Sequence, residues 1–213
     1  MKICCTFALQ SSNMKYLLFS ILLINLLACK QSTLPYLGHA EEIDGQKIYP
    51  TIPAFQLMNQ DSSYVNHETL KDKIYVADFI FLSCPTICPV MTREMYKVYE
   101  TYLDQDQVVF ISHTIDPDRD SIPRLKQYAT NLGVSTPKWN FVTGEAAEIY
   151  RLAEESYFST ALPDSTAPGG FIHSGGLLLI DPKKHIRGVY DGTNPQETNR
   201  LIKDIKILLK ELN

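Results

Sequence analysis

Cys84-Pro85-Thr86-Ile87-Cys88-Pro89 is where this sequence has its plainest capacity for chemistry. The two thiols follow the apolar run Ile74 to Leu82 (IYVADFIFL), which reads as a strand buried on both faces, and they precede a helix expected over Pro89 to Leu103. A helix N-terminus offers free N–H groups and the positive end of its dipole, so a lowered pKa is expected for one or both cysteines. If the flanking prolines fix a single turn of helix, the i, i+4 spacing sets both sulfurs on one side. Such a pair can close as a disulfide or hold one metal ion.

Two thiolates alone leave a metal site incomplete. For copper the natural third ligand is an imidazole, because thiolates suit soft Cu(I) and histidine accepts both oxidation states. His39, His67 and His185 fall in polar or turn segments and read as solvated. His113 ends a buried strand, a legitimate ligand position and also a common place for a packing histidine. His173 lies in Gly169-Gly170-Phe171-Ile172-His173-Ser174-Gly175-Gly176, where glycines let the backbone approach another loop closely and a strand follows at once.

The elements that must position these residues alternate. A short hairpin is expected over Ala54 to Asn59 and Tyr64 to Val65, then strand 74–82, helix 89–103, strand 107–114, a helix from Ser121 to Gly133, strand 139–142 and helix 145–156. The hairpin Gly176 to Ile180 with Ile186 to Tyr190 and a last helix from Pro195 to Leu212 complete the chain. This order describes an α/β domain with a mixed sheet flanked by helices. The stretch Phe158 to Ser174, rich in Pro and Gly, is a long irregular loop of the kind that carries function.

With 213 residues, 45% hydrophobic and 21% charged, the chain has the composition of one globular domain. Its net charge of −4, with scattered Lys and Arg, excludes a nucleic-acid partner. The apolar run Tyr16 to Ala28 after Lys15 is too short to span a bilayer and reads as the core of a signal peptide. Leu26-Leu27-Ala28-Cys29 resembles the bacterial lipobox, in which the cysteine is acylated. This implies a leader over 1–28, whose true start is Met1 or Met14, and lipidation at Cys29. A flexible tether is expected over 29–52 and the folded domain over 53–213. Beyond the leader only Cys29, Cys84 and Cys88 remain, in an oxidising compartment where the last two need a reason to be there.

Four ordered motifs resemble the SCO/SenC family: Phe81-Leu-Ser-Cys84-Pro85-Thr86-Ile87-Cys88-Pro89, then Ile115-Asp116-Pro117-Asp118-Arg119-Asp120, then Trp139-Asn140-Phe141-Val142-Thr143-Gly144, then His173-Ser174 ahead of a Leu-Leu-Ile-Asp-Pro strand. The resemblance runs from about Pro53 to the C-terminus. It implies a thioredoxin-like fold with an N-terminal β-hairpin and an inserted His-bearing loop. It also implies one copper ion, Cu(I) or Cu(II), on Cys84, Cys88 and His173, with Asp116 beside the site in a supporting or partner-orienting role. The implied task is to deliver copper to the apo Cu(A) site of cytochrome c oxidase subunit II, or to reduce its cysteines, with help from an extracytoplasmic thiol reductant. The protein would act from a lipid anchor, facing the periplasm, on the inner or the outer membrane. Many members have an aspartate just after the Cys-Pro, where Thr86-Ile87 stands here and leaves the local charge less negative.

Other readings use the same residues. A thiol–disulfide oxidoreductase would cycle Cys84 and Cys88 without needing His173, although such motifs usually space the pair by two residues. A redox or copper sensor would use all three. A peroxiredoxin-like peroxidase would place a threonine three residues before its reactive cysteine, where Phe81 stands. Copper binding requires the reduced pair, so dependence on an external reductant is expected.

Overall fold

The computed structural model describes residues 33–157, 161–164, 166 and 171–212, without the side chains of 161–163, 172 and 173. The expected leader and Cys29 lie outside the described residues. In chain order the elements are β1 (Glu41–Ile43), β2 (Gln46–Ile48), β3 (Gln56–Asn59), β4 (Tyr64–Asn66), β5 (Ile74–Ile80), α1 (Cys88–Thr101), β6 (Val108–Thr114), α2 (Ile122–Leu132) and β7 (Trp139–Thr143). Helix α3 (Ala146–Arg151) runs into a π turn, Leu152–Ser156; β8 (Ala161–Pro163), β9 (Phe171–His173), β10 (Gly176–Ile180), β11 (Ile186–Asp191) and α4 (Pro195–Glu211) follow.

Seven strands form one sheet in the order β11-β10-β5-β6-β7-β3-β4. Strands β5, β6 and β7 are parallel, while β10 and β3 pair antiparallel to β5 and β7. This is the expected mixed sheet flanked by helices. Every residue of β5 and β6 is buried, as the unbroken apolar runs require of strands covered on both faces. Alternation divides the aromatics between two layers. On one face Phe79 stacks on His113 at 4.8 Å and meets Tyr157. On the other, Tyr99 of α1 and Tyr128 of α2 pack against Phe110, Trp139 and Phe141. Helix α2 starts after Ser121 and stops at Gly133, whose φ of 72° suits a residue without Cβ. No helix among the described residues is long and apolar enough to cross a membrane.

The stretch 29–52, expected to be a flexible tether, is docked at Leu34 to Leu37 and again at Ile52, with an exposed segment between. The Leu34 N–H donates to Glu211, and the buried Arg187 guanidinium donates to the carbonyls of Leu34 and Pro35 and lies over the Tyr36 ring at 4.3 Å. Further along, β1 and β2 make a small hairpin of their own. Local polarity and prolines gave the tether expectation; the anchoring groups come from the far end of the sequence and are invisible in that window.

Two titratable groups sit inside the sheet with opposite tendencies. Burial raises the Asp78 carboxyl to about 7. Its cross-strand neighbour Ser112 lowers it somewhat, without standing in hydrogen-bonding geometry to either oxygen. Burial also holds His113 neutral down to about 4, while its Nδ1 meets the Asp78 carbonyl at 3.1 Å. Asp78 keeps its proton where the unfolded chain has lost it, so its contribution to stability is lost as pH rises from about 4 through 7. His113 stays neutral where the unfolded chain is protonated, so its contribution is lost as pH falls from about 6.5 toward 4. The two slopes oppose each other in wild type. Asp78→Asn removes one, and relative to wild type it should gain up to ~4 kcal/mol between pH 4 and pH 8, about three units at 1.36 kcal/mol each. Urea unfolding at both pH values checks this; an unchanged difference between the two proteins would contradict it.

Candidate metal centre

Strand β5 ends at Ile80, and the chain bends through Phe81 to Ile87 before α1 begins. The Cys84 N–H donates to the Phe81 carbonyl at 3.1 Å, and the Cys88 N–H, the first of the helix, donates to Cys84 Sγ at 3.5 Å. A cysteine sulfur thus stands where a capping side chain normally stands, since Ile87 supplies no side-chain cap. The Thr86 hydroxyl lies 3.6 Å from the same sulfur. Both cysteines are buried thiols, not joined in a disulfide.

This arrangement corrects one expectation and narrows another. Cys84 lies in a bend and not on a turn of helix, so it is the N–H···S contact that gathers the two sulfurs. The Cys88 thiol is not lowered but pushed well above the ordinary thiol value: burial dominates, and the neighbouring Cys84 and Asp78 add to it. The helix amide is directed at Cys84, so of the two cysteines it is Cys88 for which the expected lowering fails.

A second loop, between β6 and α2, supports the first. Asp120 is fully buried and its Oδ2 accepts from the Leu82 N–H at 2.9 Å and the Thr114 hydroxyl at 2.7 Å, with the Arg124 guanidinium 3.6 Å from Oδ1. The carboxyl therefore ties the start of the cysteine loop to the end of β6. Sequence reasoning missed Asp120 as a functional residue; the only signal was an acidic run before a helix, which reads equally well as capping. Asp116 is also buried. Its N–H donates to Thr114 Oγ1, its carbonyl accepts from the Arg119 and Asp120 N–H groups, and its carboxylate pairs with Arg119.

His173 closes strand β9, which among the described residues pairs with β8 and not with the main sheet. This small hairpin occupies part of the stretch expected to be an irregular loop. The His173 side chain lies outside the described residues, but its main chain is bracketed. Before it, Phe171 meets Phe81 with ring centroids 5.2 Å apart. After it, the Gly192 N–H donates to the Gly175 carbonyl at 2.7 Å, and a Cβ on Gly175 would lie 3.7 Å from Ile87 Cδ1. A Cβ on Gly192 would stand 2.8 Å from that carbonyl oxygen, so glycine alone allows the approach. Phe81 and Ile87 flank Cys84, and Phe171 and Gly175 flank His173. The two segments therefore touch at Phe81 and Phe171, and Ile87 and Gly175 approach each other on the other side, where both line a small open cavity.

Of the other histidines, His113 is a packing residue, enclosed by Phe55, Phe79 and Tyr157. His185, expected in solvent, is partly covered and meets the Tyr36 ring edge-on in the β10–β11 turn. The register of β10 on β5 puts that turn at the opposite end of the sheet from Cys84. Among the described residues, no group of three or more His, Cys, Asp or Glu side chains is gathered as a metal would need. Two thiols are gathered, and the strand that ends at His173 meets their loop through Phe171 on Phe81.

The SCO1/SenC family profile matches residues 44–210 of this chain. A SCO1/SenC family lipoprotein from Bacillus anthracis is 30% identical, with a TM-score of 0.69 over 75% of this chain and 95% of that one. BsSco is described as a member of the Sco family of cytochrome c oxidase assembly proteins with a disulfide switch. It is 28% identical, with a TM-score of 0.68 over 83% and 98% of the two chains. ScoI of Bradyrhizobium japonicum, solved with copper bound, is 26% identical, with a TM-score of 0.60 over 72% and 98%.

Proposed function

The chain belongs to the SCO1/SenC family, and from that premise we propose that it carries one copper ion on Cys84, Cys88 and His173 and delivers it to the Cu(A) site of cytochrome c oxidase. The donor set suits this cargo. Thiolates favour Cu(I), and an imidazole lets the same site accept Cu(II). The observation that supports the reading is that Phe171, two residues before His173, packs on Phe81, three residues before Cys84, while Ile87 lies near Gly175, two residues after His173. Copper displaces the thiol protons, which leave to solvent, so binding requires the reduced pair. Exchange with an external disulfide, which takes up the pair's two electrons and two protons and leaves as a dithiol, forms the Cys84–Cys88 bond and closes the site. An external dithiol reopens it by exchange, becoming a disulfide itself as the two thiols are restored.

The copper-bound relative and the relative with a disulfide switch support the two halves of this cycle. The same thiols also support a second reading, in which the reduced pair passes its electrons to the cysteines of apo subunit II. Anchoring through lipidated Cys29, with the domain facing the periplasm, accords with the family's lipoprotein member. The test of delivery is transfer in solution. The reduced chain loaded with one copper is mixed with the apo Cu(A) domain of subunit II. The Cu(A) absorption should develop, and the disulfide form, treated with the same copper and desalted, should produce none. Equal copper binding by the oxidised and reduced forms would contradict the proposal.

A further inference from the structure

Among the described residues strand β9 has no ladder to the main sheet; the backbone is tied after His173, where the Gly192 N–H donates to the Gly175 carbonyl, and before His173 the contacts are made by side chains. Phe171 is held on one side by Phe81, whose carbonyl accepts the Cys84 N–H. On another side stands Arg119, its guanidinium carbon 5.7 Å from the Phe171 ring centroid. Arg119 is itself directed by Asp116, with Nε 2.5 Å from Oδ2, and the buried carboxylate is fixed through its own backbone by Thr114 and Asp120. A continuous set of contacts thus runs from the β6–α2 loop through Arg119 and Phe171 to the cysteine loop.

We propose that Arg119 is a positioning residue: oriented by Asp116, its guanidinium holds Phe171 against Phe81 and so fixes the strand that carries His173 beside Cys84 and Cys88. This rests on the copper reading only for its consequence at the site; the positioning itself concerns the metal-free protein. It also gives Asp116 a physical task, since that carboxylate acts through Arg119. The Arg119 side chain is about half exposed, at 52%, so the contact belongs to the weaker class of cation–π interactions, and its loss should shift local equilibria by a few-fold rather than unfold the domain.

Hydrogen exchange on the reduced, metal-free full chain tests the positioning. Arg119→Gln should raise exchange in the segment 171–176 by about 3- to 10-fold, the loss of the ring contact and of the Asp116 pair together, and leave β5 unchanged. Arg119→Lys keeps the charge but not the planar group and should fall between. Copper dissociation into a chelator should accelerate by a similar factor in Arg119→Gln, at unchanged stoichiometry. Exchange in 171–176 equal to wild type would overturn the proposal, as would a rise spread evenly over the chain. Faster exchange with an unaltered copper release rate would overturn its role at the site. If wild type bound no copper, the copper reading would fail while the exchange comparison still decided the place of Arg119.

Discussion

Serine in place of Cys84 or Cys88 is expected to lower copper affinity by more than 100-fold. A hydroxyl is a poor ligand for Cu(I), and among the described residues no third thiol stands ready to replace the one lost. Loss of a mere outer-shell partner typically costs 10- to 100-fold, so loss of a directly bonded sulfur must exceed that range. The two replacements should differ in one respect. Cys84 Sγ accepts the first N–H of α1, and a serine hydroxyl can take over that task as an ordinary cap, so Cys84→Ser should keep its fold stability. Cys88 is buried among apolar groups, and a hydroxyl there lacks the solvent it would prefer, so Cys88→Ser should lose about 1–2 kcal/mol in addition. Competition against a Cu(I) chelator measures the affinities and urea unfolding the stabilities. Copper affinity within tenfold of wild type in either variant would contradict the assignment.

The largest loss of stability outside the apolar core is expected from Asp120→Ala. Removing this carboxyl leaves the Leu82 N–H and the Thr114 hydroxyl buried without their acceptor, at about 1–3 kcal/mol each. Together these give about 3–5 kcal/mol, or a fall of roughly 10 °C in the midpoint for a domain of this size. Asp120→Asn retains an acceptor oxygen and should lose less than half as much. Because Leu82 begins the cysteine loop, the alanine variant should also bind copper more weakly at temperatures where it is still folded. A midpoint within 2 °C of wild type would show that Asp120 does not tie the loop.

Much of this was visible in the residue pattern, for reasons that are local. The unbroken apolar runs marked β5 and β6 because a strand covered on both faces has no polar side to show, and Gly133 marked the end of α2 because the chain leaves that helix at a positive φ, which suits glycine. The cysteines were legible because two thiols at a strand–helix junction have few structural uses. What was illegible depends on distant partners. The docking of residues 34–37 rests on Arg187 and Glu211, far along the chain. The raised Cys88 thiol reflects burial under the finished fold, which outweighs the helix end that the sequence advertises. Asp120 looked like a cap and proved to be a clamp on a loop 38 positions away. The β8–β9 hairpin lay inside a Pro/Gly-rich stretch too short of periodicity to reveal it, and with it lay the link from Arg119 to Phe171.

The claim on which the rest depends is that one copper ion is held by Cys84, Cys88 and His173 together. The most direct measurement is a titration of the reduced chain with Cu(II) under argon, followed by absorption and electron paramagnetic resonance, with His173→Ala alongside. One tightly bound copper per chain is expected, with a thiolate-to-Cu(II) charge-transfer band in wild type and a band shifted or lost, with nitrogen coupling diminished, in His173→Ala. Weak binding by wild type, or a spectrum and affinity that His173→Ala leaves unchanged, would contradict it and leave the Cys84–Cys88 pair as a redox couple alone.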